Sequence, residues 1–147
     1  MSLALQLLSS WAPLLACMSL WIAFSVYARR KLRSASSRAG PVSAGPSNTI
    51  TVARRVDPTN ILRAYRIIVD DQPVGWINAG EVKHFEVSPG NHQVSVRVDW
   101  CHSVPLAVSK PPESNVLVWC GATYNDWRCT FMAFIAPRRF VYVAHDA

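Results

Sequence analysis

No side chain between Met1 and Ala28 carries a charge, and the next stretch, "ARRKLRSASSR", is crowded with it. That boundary constrains the fold more than any other feature. An apolar run of this length needs a non-aqueous phase or a large core, and 147 residues provide one modest domain at most. A helix crosses a bilayer with roughly 20 mostly apolar residues, so "LQLLSSWAPLLACMSLWIAFSVYA" is expected to be a transmembrane helix within residues 1–28. Pro13 is tolerable near the start of such a span, and Trp11 and Tyr27 suit its two interfaces. A cleaved signal peptide would carry positive charge before a shorter apolar stretch, and neither feature is present.

Arg29, Arg30, Lys31, Arg33 and Arg38 form the basic flank. By the positive-inside rule they place the following chain in the cytoplasm and the N-terminus outside. Stopping transfer and setting topology is a sufficient role for them; contact with the anionic inner leaflet, where each would be worth roughly 1 kcal/mol, is an optional addition. The net charge of +6 is therefore local. Five of the fifteen basic residues lie in this flank, leaving ten against nine acidic residues in the remainder. That balance argues against a nucleic-acid partner. "SASSRAGPVSAGPSN" lacks apolar periodicity and is broken by Gly and Pro, so 29–48 reads as basic flank plus flexible linker, with a reach of about 25 Å.

From residue 49 the period becomes two. Ile50 and Val52 share a face in "TITVA", as do Tyr65, Ile67 and Val69 in "RAYRIIVD". "DDQPVG" and "NAGE" are turns around a short strand at 74–77. "VKHFEV" directs Phe85 and Val87 inward, and "SPGN" turns into the longest alternation, Val94, Val96, Val98 and Trp100. Two further strands are expected near 104–109 and 115–120, and no amphipathic helix after Tyr27. The fold class is thus mainly β: a small antiparallel β-sandwich over 49–147, preceded by one transmembrane helix.

The stretch "YRIIVDDQPVGWINAGEVKHFEVSPGNHQVSVRVDW" resembles the PEGA-type β-sandwich domains of bacterial surface and envelope proteins. Val69, Asp70, Val74, Gly75, Pro89, Gly90 and His92 carry the likeness. The chain is also similar to small single-pass bacterial membrane proteins in which such a unit ends in Asp-Trp-Cys. The resemblance implies a PEGA-like binding or structural module with no enzymatic activity.

Asp99, Cys101, His102 and Ser103 hold the residue types of a nucleophilic triad, but strand neighbours point to opposite faces. We expect Trp100 to plug the core and His102-Ser103 to make the following turn. Cys101 and Cys120 end two expected strands and are a possible thiol pair: reduced in the cytoplasm, or bridged in an exported domain. With Cys129 they lack paired zinc-ligand spacing, and His84, His92 and His102 are scattered, so no metal or other cofactor is expected. His92 is expected to bond backbone at a strand start. Trp76, Trp119 and Trp127 read as core, with ligand stacking the alternative.

"CTFMAFIA" is too short to span a bilayer. Its leading reading is a core strand with "FVYVA" alongside. The alternatives are an apolar loop on the inner leaflet, with Arg138 and Arg139 at the headgroups, or a partner-binding patch of Phe131, Met132, Phe134 and Ile135. The functional expectation is a membrane-tethered, non-catalytic module at the cytoplasmic face. Its partners would be the lipid bilayer and a protein, through protein interaction or membrane assembly. The alternative is an extracytoplasmic, disulfide-bridged domain that binds cell-wall or glycan material.

Overall fold

The computed structural model describes residues 3–38, 45–58, 60–124 and 128–145. Helix α1 runs from Leu3 to Arg38. Strands β1 (Thr49–Arg54), β2 (Tyr65–Val69), β3 (Gln72–Ile77), β4 (Val82–Glu86), β5 (Gly90–Val98), β6 (Cys101–His102), β7 (Leu106–Lys110) and β8 (Asn115–Ala122) follow. Helix α2 (Arg128–Ile135), a 3-10 turn (Pro137–Arg139) and β9 (Val141–His145) complete the chain.

The strands form two sheets, ordered β4-β1-β8-β9 and β3-β2-β5-β6, with β7 also on β5. One sheet is mixed where antiparallel pairing was expected throughout, because β1 and β8 run parallel. Both sheets line one core. Ile50, Val52, Val118 and Cys120 come from the first sheet, and Tyr65, Ile67, Val94, Val96 and Val108 from the second. The alternation read in β2 and β5 is the cause: residues at i, i+2 and i+4 share the inward face. Phe85 and Val87 pack on the core's margin.

β1 is buried on both faces, more than its sequence suggests. Thr51 Oγ1 bonds Asn115 Oδ1 (2.7 Å) and His84 Nδ1 (2.8 Å) on the outer face. Gly45 lies so close there that a Cβ would strike Thr51 and His84.

Three expectations change. First, α1 does not end at Ala28 but carries the basic flank to Arg38 as helix. Arg, Lys, Leu and Ala are good helix formers, and extending an existing helix is far easier than starting one. Residues 34–38 are therefore helical where linker was expected, while 39–44 lie outside the described residues. Second, among the described residues no helix is long and apolar enough to cross a membrane. The fold carries one long N-terminal helix, and the transmembrane assignment of 1–28 is not part of it. Third, "CTFMAFIA" is helical in α2, not a core strand, although β9 does pair with β8. Short apolar runs do not distinguish helix from strand by periodicity. Among the described side chains of α2, Ala133 is buried and Met132 half-buried, while Phe131, Phe134 and Ile135 face out.

The end of α1 rests directly on the sandwich. Ala35 is buried with Ile61 and Ala79, and Leu32 and Val56 flank them. Gly80 makes this approach possible: its φ is +73°, and a Cβ would run into the Ala35 carbonyl oxygen.

Candidate functional site

Antiparallel pairing brings several connections to one end of the sandwich. They are residues 55–64 between β1 and β2, the Asn78–Glu81 turn, the Asp99-Trp100 turn and the α2 region between β8 and β9. The last turns of α1 dock on the first two of these. The same end holds a cluster of exposed apolar side chains among the described residues.

That cluster is built around Trp100, which is 53% exposed, contrary to the expected core plug. The alternation stops at Val98 because the chain reverses at Asp99-Trp100, where Asp99 takes a left-handed φ of 51°, and β6 pairs back on β5. Trp100 Nε1 donates to the Ala133 carbonyl at 3.0 Å, and its ring lies 5.6 Å from that of Phe134. Phe134 and Ile135 are 72% and 76% exposed, with Phe131 also outward and Met132 half-buried. Exposed Arg138 and Arg139 follow directly. Of the three readings of this segment, the core strand is the one replaced: the segment is helical and Phe131, Phe134 and Ile135 are exposed.

The same end of the sandwich holds a buried arginine that sequence reasoning missed. Arg54 has a fully buried side chain. Its Nη1 donates to the carbonyls of Arg63 (2.6 Å) and Ile77 (3.2 Å), and its Nη2 to that of Asn60 (2.8 Å). Asp57 Oδ2 lies 3.5 Å from Nη2, and the guanidinium sits 3.5 Å over the Tyr65 ring. Asp57 Oδ1 accepts from the Asn60 amide at 2.9 Å. This fork fixes the 55–64 loop on which α1 docks, a job suited to the planar guanidinium. Burial drives the Tyr65 hydroxyl well above its ordinary range, so it stays protonated. The loop is joined to the Trp100 turn by an Arg63–Asp99 ion pair.

On the outer face of the second sheet, a groove of about 490 Å³ is lined by Ile68, Arg97, His102, Ser103, Pro105 and Arg138, among others. Arg97 Nε donates to the Asp99 carbonyl at 3.0 Å. Arg66 lies 4.5 Å over the ring of Trp76, which is half-exposed rather than core. Trp119 is half-buried beneath Arg55, and Trp127 lies outside the described residues.

The triad-like residues do not converge. Cys101 is buried, with its Sγ 3.7 Å from the Ala133 carbonyl, whereas His102 lines the groove. Ser103 is buried and accepts from the Val96 amide at 3.0 Å, so His102-Ser103 is not a turn. Burial raises the Cys101 thiol and pushes Cys120 up to about 12, away from thiolate reactivity. Cys101 and Cys120 lie in opposite sheets and are unbonded. Among the described residues no three His, Cys, Asp or Glu side chains group as metal ligands.

At the far end, His92 Nδ1 meets Asp70 Oδ2 at 2.6 Å and Nε2 meets the Ser88 carbonyl at 2.8 Å. Two acceptors on one ring require both nitrogens to donate, which is the imidazolium form. Bonding to Asp70 first, then to Ser88, raises the His92 pKa. Its bond to His92 holds Asp70 below the ordinary carboxylate range. His92 thus has the expected backbone bond and a carboxylate partner besides.

No family model, curated protein or solved structure matches the chain.

Proposed function

We propose that this protein is a membrane-held, non-catalytic β module at the cytoplasmic face, where it engages a protein partner or packs into a membrane assembly. One observation carries the reading. Met18, Leu20, Trp21, Ile22, Phe24 and Val26 are exposed on consecutive turns and on all sides of α1. A helix apolar all round is not at rest in water and calls for lipid or protein around it. Charge-free sequence from Met1 and the basic residues that follow Ala28 favour lipid, with the arginines at the headgroups.

The β module fits a PEGA-like reading in one physical respect. Asp70 and His92, both among the residues that carry the resemblance, are each other's hydrogen-bond partners.

Alkaline carbonate extraction of membranes from cells expressing the full chain tests the anchor. The protein is expected in the pellet, and in the supernatant once residues 1–28 are deleted. Recovery of the intact chain in the supernatant refutes the reading. Orientation is read from a Glu113→Cys variant, at an exposed turn of the far end. Labelling of that thiol from outside intact cells by an impermeant maleimide overturns the cytoplasmic placement.

A further inference from the structure

We infer that the α1-docking end of the sandwich is itself a lipid-contacting surface, with Trp100, Phe134 and Ile135 seated among the headgroups of an anionic bilayer and Arg138 and Arg139 on the phosphates. The inference rests on the anchor reading above and adds a second, independent contact to it.

Three observations select lipid as the occupant. The first is topological. Among the described residues, α1 packs on the module through its last turns, at Val56, Ile61 and Ala79, and its side chains from Ala16 to Phe24 are all exposed. The Asp99-Trp100 turn and α2 leave the sandwich at that same end. A bilayer that holds α1 therefore lies on the side where the patch points. The second is chemical. Trp100 gives its indole N–H to a backbone carbonyl and leaves the rest of its ring half-open beside Phe134, an amphipathic arrangement favoured at membrane interfaces. The third is charge. Arg138 and Arg139 are exposed shortly beyond Ile135, at the end of the sandwich where the last turns of α1 dock. Basic side chains bordering an apolar patch complement anionic headgroups over an acyl boundary.

The packed contact between α1 and the sandwich favours this orientation. A floppy tether would let the patch turn away from the bilayer. Ala35, pressed on Gly80 by a contact that admits no Cβ, does not.

The test places an environment-sensitive fluorophore at Phe134→Cys or Ile135→Cys in the full chain, with Cys17 and Cys129 changed to Ser. Buried Cys101 and Cys120 stay unlabelled. A third variant carries the label at Glu113→Cys. Each protein is reconstituted into vesicles of phosphatidylcholine with phosphatidylglycerol, floated on a density gradient, and exposed to lipids bearing a nitroxide near the headgroup. Expected are flotation of all three, blue-shifted and quenched emission at 134 and 135, and water-like, unquenched emission at 113. Quenching at 134 and 135 is expected to weaken in phosphatidylcholine alone and in an Arg138→Glu, Arg139→Glu background. Proteins that float with water-like labels at 134 and 135 overturn the inference and leave the anchor standing. Blue-shifted but unquenched labels overturn it in favour of a protein cover, such as a second copy of the chain. Failure to float removes the anchor reading and this inference together.

Discussion

Replacing Arg54 by Met should cost about 4 kcal/mol or more of folding stability, although no surface contact changes. The arginine supplies donors to three carbonyls of the loop and the β3 end, at 2.6, 2.8 and 3.2 Å. Two of those bonds are fully buried, and a buried acceptor left without a donor costs about 1–3 kcal/mol. The substitution also leaves Asp57, itself buried, without its only nearby cation among the described residues. Breaking a buried ion pair from one side costs roughly 3–5 kcal/mol, and these terms overlap rather than add. Since domains of this size are stable by about 5–15 kcal/mol, the variant stands near the threshold of unfolding. Arg54→Lys should lose about half as much, because the ammonium keeps the charge near Asp57 but cannot fork to three carbonyls. Adding Asp57→Asn to Arg54→Met should recover about 2 kcal/mol by removing the orphaned charge. Urea unfolding of the full chain in mild detergent, followed by tryptophan emission, measures all three. Amide exchange should quicken first at residues 56–63. An Arg54→Met protein within about 1 kcal/mol of wild type would refute the account of a buried fork.

Three other outcomes follow from local geometry. His92, its pKa raised by Asp70, contributes stability that is fully present below the ordinary histidine value of about 6.5 and is lost as pH rises through the folded value. Asp70, held low by His92, contributes stability present above about 3.9 and lost as pH falls through its folded value. His92→Gln should therefore cost about 1 kcal/mol at pH 5.5 and almost nothing at pH 9, the His92 ring being mostly covered but its Asp70 partner half-exposed. An equal cost at both pH values would contradict the pairing. Asp71→Gly should stabilise by about 0.5–1 kcal/mol, because Asp70 and Asp71 both sit at left-handed φ, 50° and 63°, in a two-residue hairpin turn; a loss on urea titration would show the Asp71 side chain to be needed. Gly80→Ala should cost about 2 kcal/mol and expose the 32–35 amides to exchange, since its Cβ meets the Ala35 carbonyl; unchanged protection there would mean that α1 docks otherwise.

How far the residues disclosed this architecture depends on whether the deciding contact was local. β2 and β5 were readable because one face packs on the core and the pattern repeats every second residue. The hairpin at Asp70-Asp71 was readable from its turn residues. Trp100 was misread because it extends the Val94-Val96-Val98 alternation without a break. The reversal rests on Asp99 at a left-handed φ, a conformation aspartate adopts without announcing it. Arg54 was invisible for a different reason. A basic residue ending a strand reads as solvent-facing, and only the carbonyls of residues 60, 63 and 77 make its burial possible. α2 was ambiguous because nearly every residue in it is apolar. Helix or strand was settled by which side chain the core would admit, and it admitted Ala133.

These nonlocal contacts change what the module can do. A flexible stretch from Arg29 to about Ser47 would have let it sample orientations over about 25 Å, so any of its surfaces could meet any partner. Instead the Arg54 fork holds the 55–64 loop, the loop and Gly80 hold Ala35, and Arg63 ties the loop to the Trp100 turn through Asp99. These contacts join α1 to the turn that carries the apolar patch, the last link being an exposed ion pair, and the Asp70–His92 pair lies at the far end of the sandwich. A partner would then find fewer poses than on a free tether. Part of the orientational entropy of association is removed in advance, which is the usual source of affinity in preorganised surfaces.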